Sequence, residues 1–332
     1  MDIPPHPLIP GLTFRLFQGE SDYAALAAVL TASETADQME RSLTAADVAS
    51  AYLHLHNCDP FQDLLIAEVD GKMVGYTRGW WEEAGGLSRR YHHNGFLVPE
   101  WQRKGIGRAL LSRMEARLRQ IAALAPAGGS GSFQASVSQF QPGAAALLER
   151  AGYQPARYFH TMVRPSLEAI PEFPLPAGLE VRPASPDQFP AIWRSVIEAS
   201  RDEWGFTEPT EADYQAWLSG PDFQPELWQI AWETASDRAV GHVLTYINNA
   251  ENQQFGRKRG YTEGIGVDRS WRRRGVARAL ISRSLQAQKA AGMEESALVA
   301  DCDSTSNVIQ LYESCGFQIV KRDTLYRKPL DL

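Results

Sequence analysis

The sequence predicts an α/β protein built from two copies of one mixed fold. The first observation behind this prediction is a repeated phrase: "WQRKGIGRAL" (101–110) returns as "WRRRGVARAL" (271–280). The second is that other segments return at a similar offset, namely "GLTFRLF" (11–17) as "GLEVRPA" (178–184) and "LLERAGY" (147–153) as "LYESCGF" (311–317). Several echoes at a nearly constant offset indicate a duplicated domain rather than a shared turn.

Each copy has the same predicted order of elements. A strand and a helical region precede two hairpin strands, a further strand, the basic turn and an amphipathic helix, and a strand, a short helix and a last strand follow. The helices after the basic turns each carry one apolar face, formed by Ile106, Leu110, Leu111, Met114, Leu118 and Ile121 in the first copy and by Val276, Leu280, Ile281 and Leu285 in the second. These faces predict core packing.

The domain bounds follow from length and proline content. A chain of 332 residues suits two domains of roughly 150 residues each. The segment 164–178 has four prolines, which favour an extended linker. We therefore expect a first domain over 1–165, a linker over 166–177 and a second domain over 178–332, with 123–132 as a surface loop.

Composition excludes several classes of protein. No apolar run approaches the ~20 residues of a membrane span, and the N-terminus lacks the basic start of a secretory signal. A net charge of −7 argues against binding to nucleic acid. Three cysteines suit a reducing cytoplasm, and no Cys/His spacing is typical of zinc, so no metal is expected. The oligomeric state is not predicted.

The basic turn itself predicts a phosphate site. In both copies an apolar run ends, arginines or lysine and a glycine follow, and a helix begins. A helix start offers unpaired N–H groups, and glycine allows close approach of the backbone to a bulky anion. Neither copy has the G-x-x-x-x-G-K-[ST] pattern of a nucleotide P-loop.

These turns resemble the acetyl-CoA motif, Q/R-x-x-G-x-G/A, of the GNAT acetyltransferases. "NVIQLYESCGF" (307–317) is similar to the C-terminal signature of the same family. The resemblance implies two tandem GNAT folds, each with a mixed, mostly antiparallel central sheet flanked by helices, and acetyl transfer from acetyl-CoA to a primary amine. The implied acetyl-CoA contacts are Gly266, Val267, Arg272, Arg273, Arg274, Gly275, Val276, Ala277, Arg278 and Asn307 in the second copy, and Leu97, Val98, Gln102, Arg103, Lys104, Gly105, Ile106 and Gly107 in the first.

The resemblance also separates the roles of the two copies. Tyr312 stands where the family has its proton donor, whereas the first copy has Leu148. Glu263 stands where many members have the base, on the same face of a predicted strand as Val267, and the first copy has His93 there. An exposed strand carboxylate without a catalytic role would fit the same position. We therefore expect the second copy to be the catalytic one. A non-catalytic CoA-binding protein is the alternative.

Charge suggests the acceptor. The segment 198–226 has eight carboxylates against one arginine, and it follows the first strand of the second copy. Asp202, Glu203, Trp204 and Phe206 are the predicted contacts of a small, cationic amine, because carboxylates and aromatic faces both attract cations. An acidic helix pair with its aromatic residues in the core would give the same pattern.

Overall fold

A computed structural model describes residues 7–37, 43–53, 55–84, 88–125, 130–302 and 308–330. These residues form two compact units, one made of 1–157 with 323–332 and the other of 158–322. The first copy of the repeat contains β1 (Leu12–Leu16), α1 (Tyr23–Ala36), α2 (Ala45–Leu53), α3 (Pro60–Asp63), β2 (Leu64–Val69), β3 (Lys72–Glu83), β4 (Arg89–Leu97), α4 (Ile106–Ala123), β5 (Gly131–Ser138), α5 (Pro142–Arg150) and β6 (Gln154–Arg164).

The second copy repeats this order with three differences. Its elements are β7 (Leu179–Arg182), α6 (Phe189–Ser200), α7 (Glu211–Ser219), β8 (Gln229–Glu233), β9 (Arg238–Val243), α8 (Asn249–Phe255), β10 (Arg259–Tyr261), β11 (Gly266–Val267), α9 (Val276–Ala290), β12 (Glu295–Asp301), α10 (Val308–Ser314) and β13 (Gln318–Pro329). Among the described residues it has no α-helical counterpart of α3, it adds helix α8, and two short strands, β10 and β11, stand where the first copy has β4. Helix α8 was not predicted, since the polar segment between β9 and β10 shows no apolar periodicity.

The sheet of the first unit is mixed and mostly antiparallel, as expected. Strands β1 to β4 pair antiparallel in sequence order, and the start of β4 pairs parallel with β5. The antiparallel partner on the other side of β5 is the end of the chain, residues 323–329 of β13.

The second unit has two groups of strands. Strands β7, β8, β9 and β11 form an antiparallel sheet. Strand β10 pairs parallel with β12, and β12 pairs antiparallel with residues 159–164 of β6. The end of the last strand of the second copy, residues 323–329, thus belongs to the first unit, and residues 159–164 of the last strand of the first copy belong to the second unit. The compact units therefore differ from the predicted bounds 1–165 and 178–332.

The predicted apolar faces lie in the cores. In α4, five of the six residues of the face are buried, and in α9 all four are buried. The proline-rich segment also packs: Leu167 is 2% exposed, and Ile170, Phe173 and Leu175 contact the same core. The expected linker is therefore part of the second unit, because its apolar residues cover a core that would otherwise meet water.

Candidate active site

The two basic turns have the same backbone. In the second unit a 3₁₀ turn ends at Trp271, Arg273 has a φ of 59°, and Gly275 has a φ of 90° and caps α9. In the first unit Arg103 and Gly105 have φ values of 61° and 92°. A left-handed conformation two residues before a left-handed glycine is thus built twice, which supports equivalent roles for the two motifs.

The second turn leaves the start of α9 open. No side chain among the described residues caps this helix, so within that part of the chain the N–H groups of its first turn, from Val276 to Arg278, have no capping partner. Apart from the neighbours of Gly275 in the chain, no atom of the described residues lies within 4 Å of the place where a Cβ on Gly275 would be. Free donors and an unobstructed backbone are what a pyrophosphate needs at a helix N-terminus.

The basic side chains of this turn differ in their contacts. Arg274 lies over the ring of Trp271 and Arg278 over that of Phe173, each at 5.0 Å from the centroid. Among the described residues, Arg273 has no ion pair or side-chain hydrogen bond, which leaves its charge available for a phosphate.

Arg272 and Asp202 form a contact that the sequence did not reveal. Arg272 Nη1 donates to Asp202 Oδ2 at 2.7 Å, and Arg269 Nε donates to the same oxygen at 2.9 Å. These two guanidinium groups lower the pKa of Asp202 to about 2. The prediction that Asp202 contacts the acceptor therefore loses its basis, since this carboxylate already has two cationic partners.

The first turn is similar but less open. A Cβ on Gly105 would lie 3.3 Å from Pro7 Cγ, and one on Gly107 would lie 3.4 Å from Leu147 Cδ2. Lys104 Nζ lies 4.4 Å from the centroid of the Trp101 ring. Gln102 Nε2 donates to Leu97 O at 3.5 Å, which holds the turn to the end of β4.

The strand before the second turn is interrupted. Residues 259–261 pair with β12, whereas residues 266–267 pair with β9, so the chain crosses between two groups of strands at 262–265. Gly264 has a φ of 55°. The prediction of one continuous strand that alternates faces from Glu263 to Val267 is therefore wrong, because a left-handed residue breaks the alternation.

Glu263 lies at this interruption. Its Oε1 accepts a hydrogen bond from the N–H of Val299 at 2.9 Å, and its carbonyl accepts one from the N–H of Leu244 at 2.8 Å. Burial raises the pKa of Glu263 to about 7, and the hydrogen bond from Val299 opposes the rise. A carboxyl with such a pKa can take up a proton near neutral pH.

Tyr312 lies in the same electrostatic environment. It is 8% exposed, and burial raises the pKa of its hydroxyl well above the usual value. The negative charges of Glu263 and Glu203 raise it further. Tyr312 therefore keeps its proton at neutral pH and can donate it to a stronger base.

The residues of the first unit at the positions of Glu263 and Tyr312, which are His93 and Leu148, are both buried. His93 is 6% exposed, and its Nε2 lies 2.8 Å from the hydroxyl of Tyr153. Burial lowers the pKa of His93 to about 4. Leu148, at the position of Tyr312, is buried and has no proton to donate. A base without access and a missing acid argue against catalysis in this unit.

The predicted acceptor residues have mixed surroundings. The pKa of Glu203 is raised by partial desolvation and by the nearby charge of Asp301. The ring of Trp204 is 38% exposed, and that of Phe206 lies below the guanidinium of Arg201, at 5.9 Å from the ring centroid. The other aromatic residues of the acidic segment belong to a packed cluster, made of Phe189, Trp193, Tyr214, Trp217, Phe223 and Trp228.

Sequence reasoning missed a tyrosine pair next to Glu263. The rings of Tyr246 and Tyr261 stack at 4.8 Å, and their backbones form a β-bridge. The N–H of Leu244 donates to the carbonyl of Glu263, two residues from this bridge on each segment, so the tyrosine pair lies close to Glu263 along the chain. The charge of Glu263 also raises the pKa of Tyr246. The two tyrosines are fifteen residues apart, and no local pattern links them.

The remaining expectations concern Asn307 and the surface loop, a metal site and a membrane span. Asn307 and residues 126–129 of the expected loop lie outside the described residues. Within the described residues, no group of three or more His, Cys, Asp or Glu side chains is placed to hold a metal ion. No helix in that part of the chain has the length and apolar character needed to cross a membrane.

Family models match both halves of the chain. The model described as "Acetyltransferase (GNAT) family" matches residues 191–317, and that described as "Acetyltransferase (GNAT) domain" matches residues 60–155. The chain belongs to the GNAT acetyltransferases. The tandem GNAT architecture expected from the repeated turn is confirmed.

Relatives of similar length support this assignment. The chain is 28% identical to the mycothiol acetyltransferase of Geodermatophilus obscurus, over 92% of this chain and 95% of that protein. It is 27% identical to the one from Kineococcus radiotolerans, over 90% and 91%.

Solved structures share the fold over nearly the whole chain. A GCN5-related N-acetyltransferase from Sphaerobacter thermophilus has a TM-score of 0.77 at 25% identity, with 98% of this chain and 99% of that chain covered. A tandem GNAT protein from the clavulanic acid biosynthesis pathway has a TM-score of 0.67 at 15% identity, with 96% and 98% covered. This GNAT protein is an acetyl-CoA-dependent N-acetyltransferase of an amine, and the alternative of a non-catalytic CoA-binding protein is not supported.

Proposed function

We propose that the second half of the chain catalyses the transfer, with Glu263 as the base and Tyr312 as the acid. The observation that carries this proposal is that Glu263, a carboxyl of pKa about 7 at the interruption before the second turn, acts electrostatically on the buried, protonated Tyr312. The first half offers a sealed histidine and Leu148 at the same positions.

The chemistry that these residues would support is direct. The amine nitrogen attacks the carbonyl carbon of the thioester, a C–N bond forms, and the C–S bond breaks. Glu263 takes the proton that the amine loses, directly or through water, and Tyr312 gives its proton to the departing thiolate. The products are the N-acetyl amine and CoA, and no electron donor or acceptor is needed.

The second turn would hold the pyrophosphate of acetyl-CoA. The open start of α9 and the free guanidinium of Arg273 support this role. The first turn shares the backbone conformation, so we propose that it retains an acetyl-CoA contact surface without turnover.

The acceptor that fits best is a small, cationic amine. The charges of two carboxylates, Glu263 and Glu203, act on the proposed acid Tyr312, and the charge of Asp301 acts in turn on Glu203. The stacked rings of Tyr246 and Tyr261 add aromatic faces beside Glu263. The name of the relatives, mycothiol acetyltransferase, supports a small-molecule acceptor and makes their acceptor the first compound to test.

The test is a panel of primary amines with acetyl-CoA, in which CoA release is followed as free thiol and the product by mass. The panel includes the acceptor of the mycothiol acetyltransferases, an amino sugar, a polyamine and neutral amines of similar size. Cationic amines should have the highest kcat/KM, and their KM should rise with ionic strength more than that of acetyl-CoA. A preference for neutral or anionic amines would contradict the proposed acceptor class and leave the acetyltransferase assignment intact.

Glu203→Gln examines the acceptor site separately. We expect it to raise the acceptor KM and to leave the acetyl-CoA KM unchanged. Action in the cytoplasm without metal, nucleic acid or membrane stays a prediction, and undiminished turnover in the presence of a chelator would test the metal part.

A further inference from the structure

Two arginines that flank the second turn converge on one carboxylate. Asp202 lies two residues after the end of α6. Its two carboxylate oxygens accept hydrogen bonds from Nε and Nη2 of Arg269. Arg272, the first residue of the acetyl-CoA motif, donates to the same carboxylate at 2.7 Å. These contacts bridge 67 and 70 positions of sequence, so they tie the acidic segment to the turn.

Two further donors of Arg272 also bond to the protein. Its Nε donates to Val267 O at 2.9 Å, at the end of β11, and its Nη2 donates to Ala199 O at 3.3 Å, in the last turn of α6. These three bonds use one N–H group on each guanidinium nitrogen and hold the side chain to β11, to α6 and to Asp202, with two N–H groups left over. Although it stands in a phosphate motif, Arg272 therefore acts here as a structural link.

The first unit shows which part of this arrangement is special to the second. Gln102 occupies the position of Arg272 and donates to Leu97 O, the carbonyl that corresponds to Val267 O. The link from the turn to the end of the preceding strand is thus common to both units. The fork of Arg272 adds a second link, which needs Asp202.

We propose that Asp202 is a positioning residue for acetyl-CoA: it fixes Arg269 and Arg272, and so holds residues 272–275 in the shape that presents the N–H groups of α9 to the pyrophosphate. The proposal rests on the proposed function, since it assigns the acetyl-CoA site to the second half. It replaces the expectation that Asp202 contacts the acceptor.

Electrostatics and positioning give opposite signs for Asp202→Asn. If the carboxylate were only a negative charge near an anion site, its removal would strengthen CoA binding, because the local potential would become more positive. If it positions the turn, its removal releases both arginines and weakens CoA binding. Because the pair is exposed and such contacts are individually modest, we expect about a three- to tenfold loss.

The experiment measures the Kd of CoA by calorimetry and the acetyl-CoA KM in the full chain. Asp202→Asn should raise both about three- to tenfold, with kcat at saturation changed less than about twofold. Asp202→Glu keeps the charge and should restore part of the affinity. Asp237→Asn is the matched control, since it removes an exposed carboxylate that pairs with Arg182 at 2.6 Å in the same unit; it should change neither value.

A double-mutant cycle isolates the link. Arg272→Gln introduces the residue that the first unit has at this position, which keeps a donor for Val267 O and loses the contact with Asp202. In that background Asp202→Asn should cost clearly less than in the wild type, because only the contact with Arg269 remains. Equal costs in both backgrounds would overturn the coupling.

Three outcomes would overturn the proposal. They are a CoA Kd in Asp202→Asn that is unchanged while the acceptor KM is also unchanged, a CoA Kd that is unchanged while the acceptor KM rises, and a CoA Kd that is tighter. Gly275→Val separates these from failure of the proposed function: if it too leaves the CoA Kd unchanged, the second half is not the CoA site.

Discussion

The pKa of Glu263 predicts a specific pH dependence of turnover. Its pKa is about 7, against an ordinary value of 4.5. A carboxyl of pKa about 7 is about one tenth ionised at pH 6 and about nine tenths ionised at pH 8. If the ionised form is the base, its contribution to kcat should rise about tenfold between these pH values and be lost as the pH falls through 7.

The acceptor amine titrates as well, so the comparison must cancel its contribution. The assay is therefore the ratio of kcat/KM for the acceptor between wild type and Glu263→Gln, taken at each pH from 4 to 8.5 at saturating acetyl-CoA. The glutamine keeps the size of the side chain and an oxygen that can accept the hydrogen bond from the N–H of Val299. We expect this ratio to rise about tenfold from pH 6 to pH 8.

Two results would refute the reasoning. A ratio that is constant with pH would show that Glu263 does not titrate in the mechanism. A ratio that rises only below pH 5.5 would show that Glu263 keeps its ordinary pKa, so that burial at the strand interruption does not act on it as the structure indicates.

The remaining site predictions concern the acid and the two turns. Tyr312→Phe removes only the hydroxyl, and we expect kcat to fall by ~10²–10⁴-fold while the CoA Kd holds; an unchanged kcat would mean that water protonates the thiolate. Gly275→Val forces a β-branched residue to a φ of 90° and should raise the acetyl-CoA KM more than about tenfold. Gly105→Val is its matched control, with a φ of 92°: both variants should lower the melting temperature, and equal losses of turnover would contradict the assigned roles.

Local patterns in the sequence were enough to predict much of the fold. The apolar faces of α4 and α9 follow from helical spacing alone, and the glycine turns follow from a left-handed residue that is favoured before a helix. Because both features repeat, the sequence also predicted the duplication. The apolar helix faces and the glycine turns depend on residues only a few positions apart, and a periodic sequence pattern shows relations over that distance.

What the sequence did not reveal depends on distant contacts. The partners of Asp202 lie 67 and 70 residues away, so charge counting could not tell an occupied carboxylate from a free one. The aromatic residues of the acidic segment were open to two readings, and Tyr214 and Trp217 proved to be part of a packed cluster. The left-handed conformation of Gly264 was not predicted either, because the φ of a single glycine in an apolar run cannot be inferred from the sequence.

The residues that make up each compact unit predict which part of the chain can fold alone. A fragment cut at the predicted bounds, 178–332, loses the strand 159–164 that pairs with β12. It also loses Leu167, which is 2% exposed, and Arg164, whose guanidinium donates to Cys315 O and Ala169 O at 2.6 Å each.

Burial of one leucine contributes roughly 1.5–3 kcal/mol, and a domain has only about 5–15 kcal/mol of stability, so these losses together should prevent stable folding. The fragment 158–322 keeps all three features and should unfold cooperatively in urea, whereas 178–332 should aggregate or unfold without a transition. Circular dichroism of both fragments decides. A stable 178–332 beside an unfolded 158–322 would show that the repeat in the sequence, rather than the exchanged strands, defines the folding unit.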